Sequence, residues 1–549
     1  MKTTIIQILL FCLSINFCQA QSNQIILQLE EGESIQQLST SNKIKTYRQL
    51  SKSLNIWLIE TSATQTNLKK ETTLSDFKEQ GQIKTAQFNE KVELRNTLPN
   101  DTWFVKQWQY NNKGENLGIT DADIDALKAW QQTTRGLTTN GDEIVVAIID
   151  GGIDLNHPDL INNLWTNTHE IPNNQIDDDH NGYIDDINGW NFNDTIADVG
   201  NAGYGHWHGT PVAGIIGAEG NNYEGVCGIN WQVKIMNLVA NQTVADVIAA
   251  YDYILEMRKR YNKTNGAEGA FIVATNASLG INEGKPADHP LWCAMYNALG
   301  EAGILNVAAT ANNLINVDER GDLPTTCSSN FLISVTNTNN RDELDFAAFG
   351  KQHIDLSAPG TGVFTVSNNS NYGVFGGTSA AAPHVAGAIA LMYSTTNKGL
   401  MKIVQTDPSQ AALLLKDCIL KGTNPIADLY HKSVSNGRLN LYNSLCELEH
   451  YFEGNNCFEA EAINLQIEEV QLNTSDKAIQ IKFKLQGQTY LKLRLIDTSG
   501  RIIYQEHLSN INTGKHQLAL NTNNLKTGVY HVLLNTKKSS LSHTIIVYN

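Results

Sequence analysis

Residues 144–160 read IVVAIIDGGIDLNHPDL, and this stretch decides the fold. An uninterrupted apolar run ends at Asp150, and two glycines follow it. A second apolar run, GILNVAAT, occupies residues 303–310, and stretches with helical periodicity separate such runs. Continuous apolar strands that alternate with helices are typical of a parallel sheet covered on both faces. We therefore predict an α/β fold, with Asp150 at the carboxyl edge of the sheet, where open sheets of this kind bind ligands.

We assign the α/β region to residues 101–450. Three regions that flank it differ from it in their pattern of apolar and polar residues. Residues 1–20 combine a lysine, a short apolar run and a final alanine, and they predict a secretory signal peptide rather than a buried strand. Residues 21–100 begin with alternating apolar and polar residues, which predicts half-buried strands. We assign this segment to a small α+β domain. Residues 451–549 alternate in the same way between turn sequences and predict an all-β sandwich.

Composition excludes several kinds of partner and site. The net charge of the 549-residue chain is −16 and no Lys/Arg-rich run occurs, so we expect no nucleic-acid partner. The cysteines that follow the signal contain no CxxC pair, which argues against a zinc or redox site. An exported chain permits disulfides. Six cysteines allow fifteen connectivities, and the one pairing that we predict is the local one between Cys446 and Cys457.

Three residues offer the groups that acyl transfer requires, namely a nucleophile, a base and an orienting carboxylate. Asp150 ends the apolar strand, and His208 begins HGTPVAGIIGA. Ser379 lies in GGTSAAAPHVAGAIALMYS at a predicted helix start, where backbone N–H groups favour developing negative charge. Each residue also has an ordinary explanation: a turn aspartate, a surface histidine and an N-cap serine.

The extended motifs around these residues resemble the three signatures of subtilisin-like serine peptidases. DGGID with HPDL, HGTPVAG and GTSAAAPHVAG occur in the Asp, His, Ser order of that family, and the resemblance covers roughly residues 105–446. It implies a subtilisin-like three-layer fold and a secreted serine endopeptidase. In such an enzyme Ser379 is the nucleophile, His208 is the general base and acid, and Asp150 orients His208.

The resemblance also implies an oxyanion hole. NVAATANN at 306–313 is similar to the stretch that carries the family's oxyanion-hole asparagine, which assigns this role to Asn312 rather than to a turn residue. Two residues depart from the family pattern. Ala311 stands where the family usually has Gly, and Ala380 stands where it usually has Met after the serine.

Substrate contacts follow from the same resemblance. Ser278, Leu279 and Gly280 resemble the strand that pairs with an extended substrate, a mode of binding that uses main-chain hydrogen bonds and accepts many sequences. The specificity pocket is expected near residues 309–311 and 324–327. The sequence does not indicate which side chain this pocket prefers.

An acidic loop predicts a structural calcium site. Carboxylates and amides recur at alternate positions around a glycine, as at the start of an EF-hand loop. The predicted ligands are Asp177, Asp179, Asn181, the carbonyl of Tyr183, and Asp185. Position twelve is an asparagine instead of the usual glutamate, and a solvated acidic turn is the alternative. By resemblance to subtilisins, a second calcium site is expected at Asp159 and Asn222, with Gln107 as a further ligand.

The two flanking domains also show resemblances. By its position, residues 21–100 resemble the propeptides of subtilisins, which implies self-cleavage between about Arg95 and Asp101. IDTSGR (496–501), LKTGVY (525–530) and the final IIVYN resemble the sorting domains of the type IX secretion system of Bacteroidetes. This resemblance implies export across the outer membrane by that machinery, to the cell surface or beyond.

Two other functions are compatible with the sequence. One is a catalytically silent relative that binds proteins through the same cleft, and the other is an adhesin whose function lies in the terminal β domain. The complete set of catalytic residues favours the peptidase. We expect a monomer that acts on protein or peptide substrates.

Overall fold

The structure, a computed structural model, describes residues 24–41, 44–61, 77, 81–89, 98–200, 206–454, 465–485, 489–511, 514–536 and 540–548. The chain divides into two compact units, Met1–Arg95 and Asn96–Asn549. The predicted signal peptide and Cys457 lie outside the described residues.

The first unit contains one antiparallel sheet with a helix. Its elements are β1 (Gln24–Leu29), α1 (Ile35–Ser41), β2 (Ile44–Ser51), β3 (Ile56–Thr61) and β4 (Ile83–Phe88). The strand order is β2-β3-β1-β4. Ile25, Leu27 and Leu29 are buried while the residues between them are not, as the alternation in the sequence predicts.

The α/β part of the second unit begins at residue 96. Its helices are α2 (Ala126–Ala129), α3 (His206–Gly217), α4 (Val244–Thr264), α5 (Pro290–Glu301), α6 (Val317–Arg320), α7 (Thr378–Tyr393), α8 (Lys398–Thr406), α9 (Pro408–Lys421) and α10 (Leu441–Glu453). Its strands are β5 (Val145–Asp150), β6 (Gly189–Asn191), β7 (Lys234–Val239), β8 (Ile272–Ala277), β9 (Ile281–Asn282), β10 (Leu305–Ala309), β11 (Asp322–Leu323), β12 (Leu332–Thr338), β13 (Leu356–Pro359), β14 (Val363–Ser367), β15 (Asn371–Phe375), β16 (Asn424–Pro425) and β17 (Gly437–Arg438).

A nine-stranded sheet is the centre of this part, with the order β16-β17-β13-β12-β10-β8-β5-β7-β6. Every pair in it is parallel except β16 with β17. One apolar core contains residues of α3, α7 and α9, and another contains residues of α4 and α5. Both cores include side chains of β5, so helices cover the two faces of the sheet. The predicted α/β class with a buried parallel sheet is confirmed.

Helix α7 has no solvent-exposed face. All sixteen of its residues are buried, and most of them are alanine, glycine or other small side chains. Small side chains let neighbouring backbones approach closely. On helix α3, a Cβ at Gly214 would lie 2.3 Å from Val366 of β14. The run of small residues in the sequence therefore suits close packing of this helix on all sides.

The C-terminal part is all-β. Its strands are β18 (Leu465–Asn473), β19 (Ala478–Leu485), β20 (Thr489–Asp497), β21 (Ile502–Ile511), β22 (Gly514–Asn521), β23 (Gly528–Asn535) and β24 (Ser540–Val547). They form two sheets, of order β18-β19-β22 and β21-β20-β23-β24, around a shared apolar core. Leu491, Leu493 and Leu495 are buried in that core, as the alternation predicts. The prediction of an all-β C-terminal domain is confirmed.

Disulfide bonds are present in the second unit. Cys293 of α5 is bonded to Cys327, a pair that the sequence did not suggest. Cys446 is also disulfide-bonded, and its predicted partner lies outside the described residues. Cys227 and Cys418 are free and buried. Within the described part of the chain, no helix has the length and apolar character that crossing a bilayer requires.

Candidate functional site

A histidine–carboxylate pair stands at the carboxyl edge of the central sheet. Asp150 is the last residue of β5 and is 4% exposed. His208 Nδ1 lies 2.9 Å from Asp150 Oδ1 and 2.9 Å from Oδ2. Burial lowers the pKa of His208, but the hydrogen bond to Asp150 and the charge of that carboxylate outweigh burial, so the pKa is raised from its ordinary value. The carboxylate therefore stabilises the protonated imidazole.

Close backbone contact brings the two residues together. Gly209 follows His208 in α3, and a Cβ at Gly209 would lie only 2.2 Å from the carbonyl oxygen of Gly152. Glycine is thus required here, because any side chain would push α3 away from the loop that follows Asp150. The glycines of the two sequence motifs serve this approach.

Ser379 is the second residue of α7 and is 8% exposed. Gly377, just before the helix, has φ of 84°, a backbone conformation that glycine adopts without strain. Because Ser379 is in the first helical turn, its N–H group has no partner within the helix. Its carbonyl oxygen accepts a hydrogen bond of 3.2 Å from the hydroxyl of Ser278.

Asn312 is held in a defined orientation beside this helix start. Its Oδ1 accepts hydrogen bonds from the N–H group of Thr378 at 2.8 Å and from the Thr378 hydroxyl at 3.1 Å. The Thr378 hydroxyl also reaches the carbonyl oxygen of Thr310. With Oδ1 engaged in this way, Nδ2 is the donor that Asn312 can offer to a ligand in the cleft.

These residues meet in one cleft of about 350 Å³. Its lining includes His208, Ser379 and Asn312, together with the predicted substrate segment Ser278, Leu279 and Gly280. No hydrogen bond joins the Ser379 hydroxyl to His208 among the described contacts, and such bonds often shorten only when a substrate is bound. Six residues that sequence motifs single out, from four separate segments, thus line a single cavity.

The two departures from the family pattern occupy unstrained positions. Ala311 is buried, and its N–H group donates to Asp322 Oδ2 at 3.2 Å. Ala380 is buried in helix α7 against Ile215 and Val363. Neither alanine has a positive φ. The substitutions therefore leave the backbone around Asn312 and Ser379 in ordinary conformations.

Three side chains at the site escaped the sequence reasoning. Trp207 and Phe375 pack edge-on against the His208 ring, with centroids 5.5 and 5.3 Å away. Asp322 lines the cleft as its one carboxylate among the described residues, and it is 2% exposed. Trp207 and Phe375 are adjacent in sequence to the motifs of His208 and Ser379. That adjacency could have identified them as residues of the site. Asp322 lies just before residues 324–327, where the specificity pocket was expected, but no motif marked the residue itself.

The acidic loop brings together a different set of groups from the predicted one. Carboxylate oxygens of Glu170, Asp177 and Asp179 lie within 4.8 Å of one another. Asp185 is not a member of this group. Its oxygens accept hydrogen bonds from the N–H groups of Asn174 and Gln175, at 3.2 and 3.0 Å. Glu170 takes its place as the third carboxylate.

The remaining predicted ligands of the loop have protein partners. Asn181 Oδ1 accepts from the N–H group of Tyr183 at 2.7 Å. The Tyr183 ring, which is distinct from the predicted carbonyl ligand, packs against Trp190, Phe192 and Tyr253. By contrast, Asp179 Oδ1 is buried and accepts no hydrogen bond, and its cationic neighbour among the described residues is Arg260, whose Nη1 lies 3.5 Å away. A buried carboxylate oxygen without a donor, next to two further carboxylates, fits a cation ligand.

The second predicted site is partly assembled. Asn222 Nδ2 donates to Asp159 Oδ1 at 2.9 Å, and the N–H group of Val226 donates to Asp159 Oδ2 at 2.8 Å. Gln107 is not a member of this cluster, because both ends of its amide bond to the main chain of Cys227. Burial raises the pKa of the Asp159 carboxyl against the opposing effect of these donors.

Comparison with known proteins agrees with the geometry. Residues 141–430, more than half of the chain, match the model of the subtilase family, and residues 473–548 match that of a secretion system C-terminal sorting domain. Over 328 residues the chain is 30% identical to subtilisin-like protease 1 of Plasmodium berghei (strain Anka). The matched region covers 55% of this chain and 50% of the relative. It therefore spans about half the length of that relative.

Two further similarities concern bacterial proteins. The chain is 30% identical over 272 residues to the major intracellular serine protease of Bacillus subtilis (strain 168), covering 49% of this chain and 74% of the relative. A solved protease structure from Pseudoalteromonas arctica shares 22% sequence identity and covers 63% of this chain and 98% of that one, with a TM-score of 0.45.

The effect of Asp150 on His208 predicts a shift in an Asp150→Asn variant. Without the carboxylate, burial is the main remaining influence, so the pKa of His208 should fall from its raised value to below its ordinary value of about 6.5. The titration of the imidazole proton signals by NMR measures it. Asp318→Asn, which alters the separate pair between Asp318 and His353, should leave His208 unchanged. An unchanged pKa of His208 in Asp150→Asn would contradict the assigned cause.

Proposed function

The chain belongs to the subtilase family, and on that premise we propose that it is a secreted serine endopeptidase that hydrolyses peptide bonds through an acyl-enzyme intermediate. The observation that carries the proposal is the His208–Asp150 hydrogen bond at the edge of a cleft that Ser379 and Asn312 also line. A base oriented by a buried carboxylate, beside a hydroxyl at a helix start, is the arrangement that acyl transfer requires.

His208 acts as the proton carrier. With Nδ1 bound to Asp150, Nε2 is the nitrogen that takes the proton from the Ser379 hydroxyl as its oxygen attacks the substrate carbonyl carbon. The Asp150 charge stabilises the imidazolium that results, and His208 then gives the proton to the leaving amine. A water molecule, activated by the same nitrogen, hydrolyses the acyl-enzyme. Trp207 and Phe375 shield the ring from solvent on its edges.

The tetrahedral intermediate carries a negative oxygen that needs donors. The Asn312 side-chain Nδ2 and the Ser379 N–H group are the proposed pair. The bonds from Thr378 to Asn312 Oδ1 hold the amide in place before the reaction, so no reorganisation is needed when the charge develops. The segment from Ser278 to Gly280 pairs with the extended substrate main chain.

Two alternative functions, a catalytically silent binding protein and an adhesin, are less well supported than the peptidase. A silent relative would keep the cleft but lack turnover, and the presence of Asp150, His208, Ser379 and Asn312 around one cavity favours the enzyme. An adhesin would depend on the C-terminal domain. The match of that domain to sorting domains supports a role in export instead.

Export and maturation form the second part of the proposal. We infer that residues 1–20 direct the chain to the periplasm and that the C-terminal domain, through the type IX machinery, directs it to the cell surface or outside. Residues 21–100 act as a propeptide that the enzyme removes itself. The division of the chain at residues 95 and 96 supports a separable N-terminal unit.

Calcium is the third part of the proposal. Glu170, Asp177 and Asp179 would hold the ion, and Asp179 Oδ1, which accepts no hydrogen bond, supports this assignment. Asp159 and Asn222 are proposed for the second ion. Bound calcium supplies positive charge that neutralises converging carboxylates, and thereby ties the loops to the fold.

A fluorophosphonate probe tests the proposed activity. The processed protein should be labelled at Ser379, as peptide mapping by mass spectrometry would show, and Ser379→Ala should not be labelled. The labelling rate should rise from acidic to neutral pH, because only neutral His208 can accept the serine proton. Failure of the folded, calcium-loaded protein to react at Ser379 would contradict the proposed function.

Self-processing predicts a difference between the wild-type chain and Ser379→Ala. Wild-type protein, expressed in full, should lose residues up to a point between about Arg95 and Asp101, whereas purified Ser379→Ala should retain them. The intact mass and the N-terminal peptide identify the cleavage point. Loss of the same segment from Ser379→Ala in the absence of any other peptidase would contradict self-cleavage.

Calcium removal should destabilise the protein. An ion that binds only the folded state at about a hundred times its Kd contributes about 2.7 kcal/mol, so a chelator should lower the melting temperature. Asp179→Asn should melt lower and respond less to chelator. Asp252→Asn is the matched control, since Asp252 is an exposed carboxylate near Tyr183 that lies outside the cluster. A chelator response that is intact in Asp179→Asn but absent in Asp159→Asn would assign the effect to the second site.

A further inference from the structure

We propose that Asp322 selects a cationic side chain, arginine or lysine, at the substrate residue whose carbonyl Ser379 attacks. This inference rests on the proposed peptidase function and extends it to the substrate class. Its basis is the position of one carboxylate, which the sequence motifs do not mark.

Asp322 lies between the two walls of the cleft. One wall is the segment 309–313, to which its Oδ2 is bonded through Thr310 and Ala311. The other wall is Ser278 to Gly280, which continues into β9, and β9 pairs with the strand that begins at Asp322. A Cβ at Gly280 would lie 2.2 Å from the carbonyl oxygen of Leu323, so the second wall and β11 are in close contact. The carboxylate therefore lies where the two walls of the cleft meet.

One oxygen of this carboxylate is fully engaged and the other is not. Oδ2 accepts hydrogen bonds from the hydroxyls of Thr310 and Thr325, at 2.9 and 2.5 Å, and from the N–H group of Ala311 at 3.2 Å. Oδ1 accepts none from the described residues. These three donors fix the orientation of the carboxylate, and they leave Oδ1 as the atom that can receive a donor from a ligand in the cleft.

Among the residues that the structure describes, no cation compensates the charge of the Asp322 carboxylate. Burial raises the pKa of the Asp322 carboxyl, and the opposing influences are the neutral donors of Thr325, Thr310 and Ala311, with no Lys or Arg among them. The other titratable residue of the cleft lining is His208, which already pairs with Asp150. A buried carboxylate without a counter-ion is costly, and a guanidinium or ammonium group supplies both the missing charge and the missing donor.

The shape of the cleft admits such a group. Its volume of about 350 Å³ accommodates a long side chain. Ser379, where the scissile carbonyl must lie, is part of the same lining as Asp322. The walls carry Leu279, Ala309 and Ala311, which suit the methylene stem of lysine or arginine. The charged end then meets Asp322, and selection follows from the charge rather than from the size of the side chain.

The processed wild-type enzyme provides the first test. Peptides should differ only in the residue before the cleaved bond, which is arginine, lysine, citrulline or leucine. Citrulline has the shape of arginine without its charge. A charge-assisted hydrogen bond predicts that kcat/KM for arginine exceeds that for citrulline by about 10- to 100-fold. A ratio within about twofold of one would overturn the proposal, and this test requires no variant to fold.

Asp322→Asn provides the second test. Its amide oxygen can keep the donors of Thr310, Thr325 and Ala311, so the expected result is an arginine-to-citrulline ratio near one. Glu283→Gln is the matched control, because Glu283 is an exposed carboxylate next to β9 that pairs with Arg320 outside the cleft lining. The control should retain the wild-type ratio. If Asp322→Asn retained the wild-type arginine-to-citrulline ratio, Asp322 would not be the residue that selects the charged substrate side chain.

Reaction with the fluorophosphonate separates this inference from the proposed function. If the leucine peptide is cleaved and Ser379 is labelled while the arginine-to-citrulline ratio is near one, the peptidase stands and the assigned specificity fails. If neither labelling nor cleavage of any of the four peptides occurs, the proposed function itself fails.

Discussion

Close backbone approach between helix α3 and the loop after β5 is the constraint on which the rest of the site depends. The Cα of Gly209 lies against the Gly152 carbonyl with no room for a Cβ. This contact sets the distance between the end of the strand, where Asp150 lies, and the helix that carries His208. The fully buried α7 imposes the same demand on the other side of the cleft, since its small side chains let the start of the helix, with Ser379, reach the sheet edge. Packing therefore determines catalytic geometry here, because a helix shifted by one side-chain width would separate the groups.

The two carboxylates of the site differ in how the protein compensates their charge. Asp150 contacts an imidazole, so its charge is used within the chain to raise the pKa of His208. Asp322 is held by neutral donors alone, so its charge is left for a ligand. In our proposal the same chemical group thus serves proton transfer at Asp150 and substrate selection at Asp322. The groups around each carboxylate, rather than the residue type, account for the difference between the two proposed roles.

The carboxylates of the acidic loop also differ in how many of their oxygens have a hydrogen-bond donor. Most of its carboxylates accept hydrogen bonds from backbone N–H groups or asparagine side chains, as Asp185 and Asp177 illustrate. Asp179 Oδ1 is the exception, and it lies where Glu170 and Asp177 converge. A loop with so many like charges is costly to order unless something positive is bound, which is the physical reason for placing calcium there.

The sequence by itself determined the α/β class, the all-β terminal domain and the identity of the residues around the cleft. These features are local: an apolar run, a period of two, or a motif whose residues are adjacent in the chain. Asp150, His208, Ser379 and Asn312 were accessible because each lies within such a motif. The roles that we propose for Asp322 and Glu170 depend on the tertiary structure. Asp322 reaches the cleft because β11 pairs with β9, about forty residues earlier, and Glu170 replaces Asp185 because the loop folds back on itself. Contacts of this kind depend on which distant segments meet, and no local pattern records them.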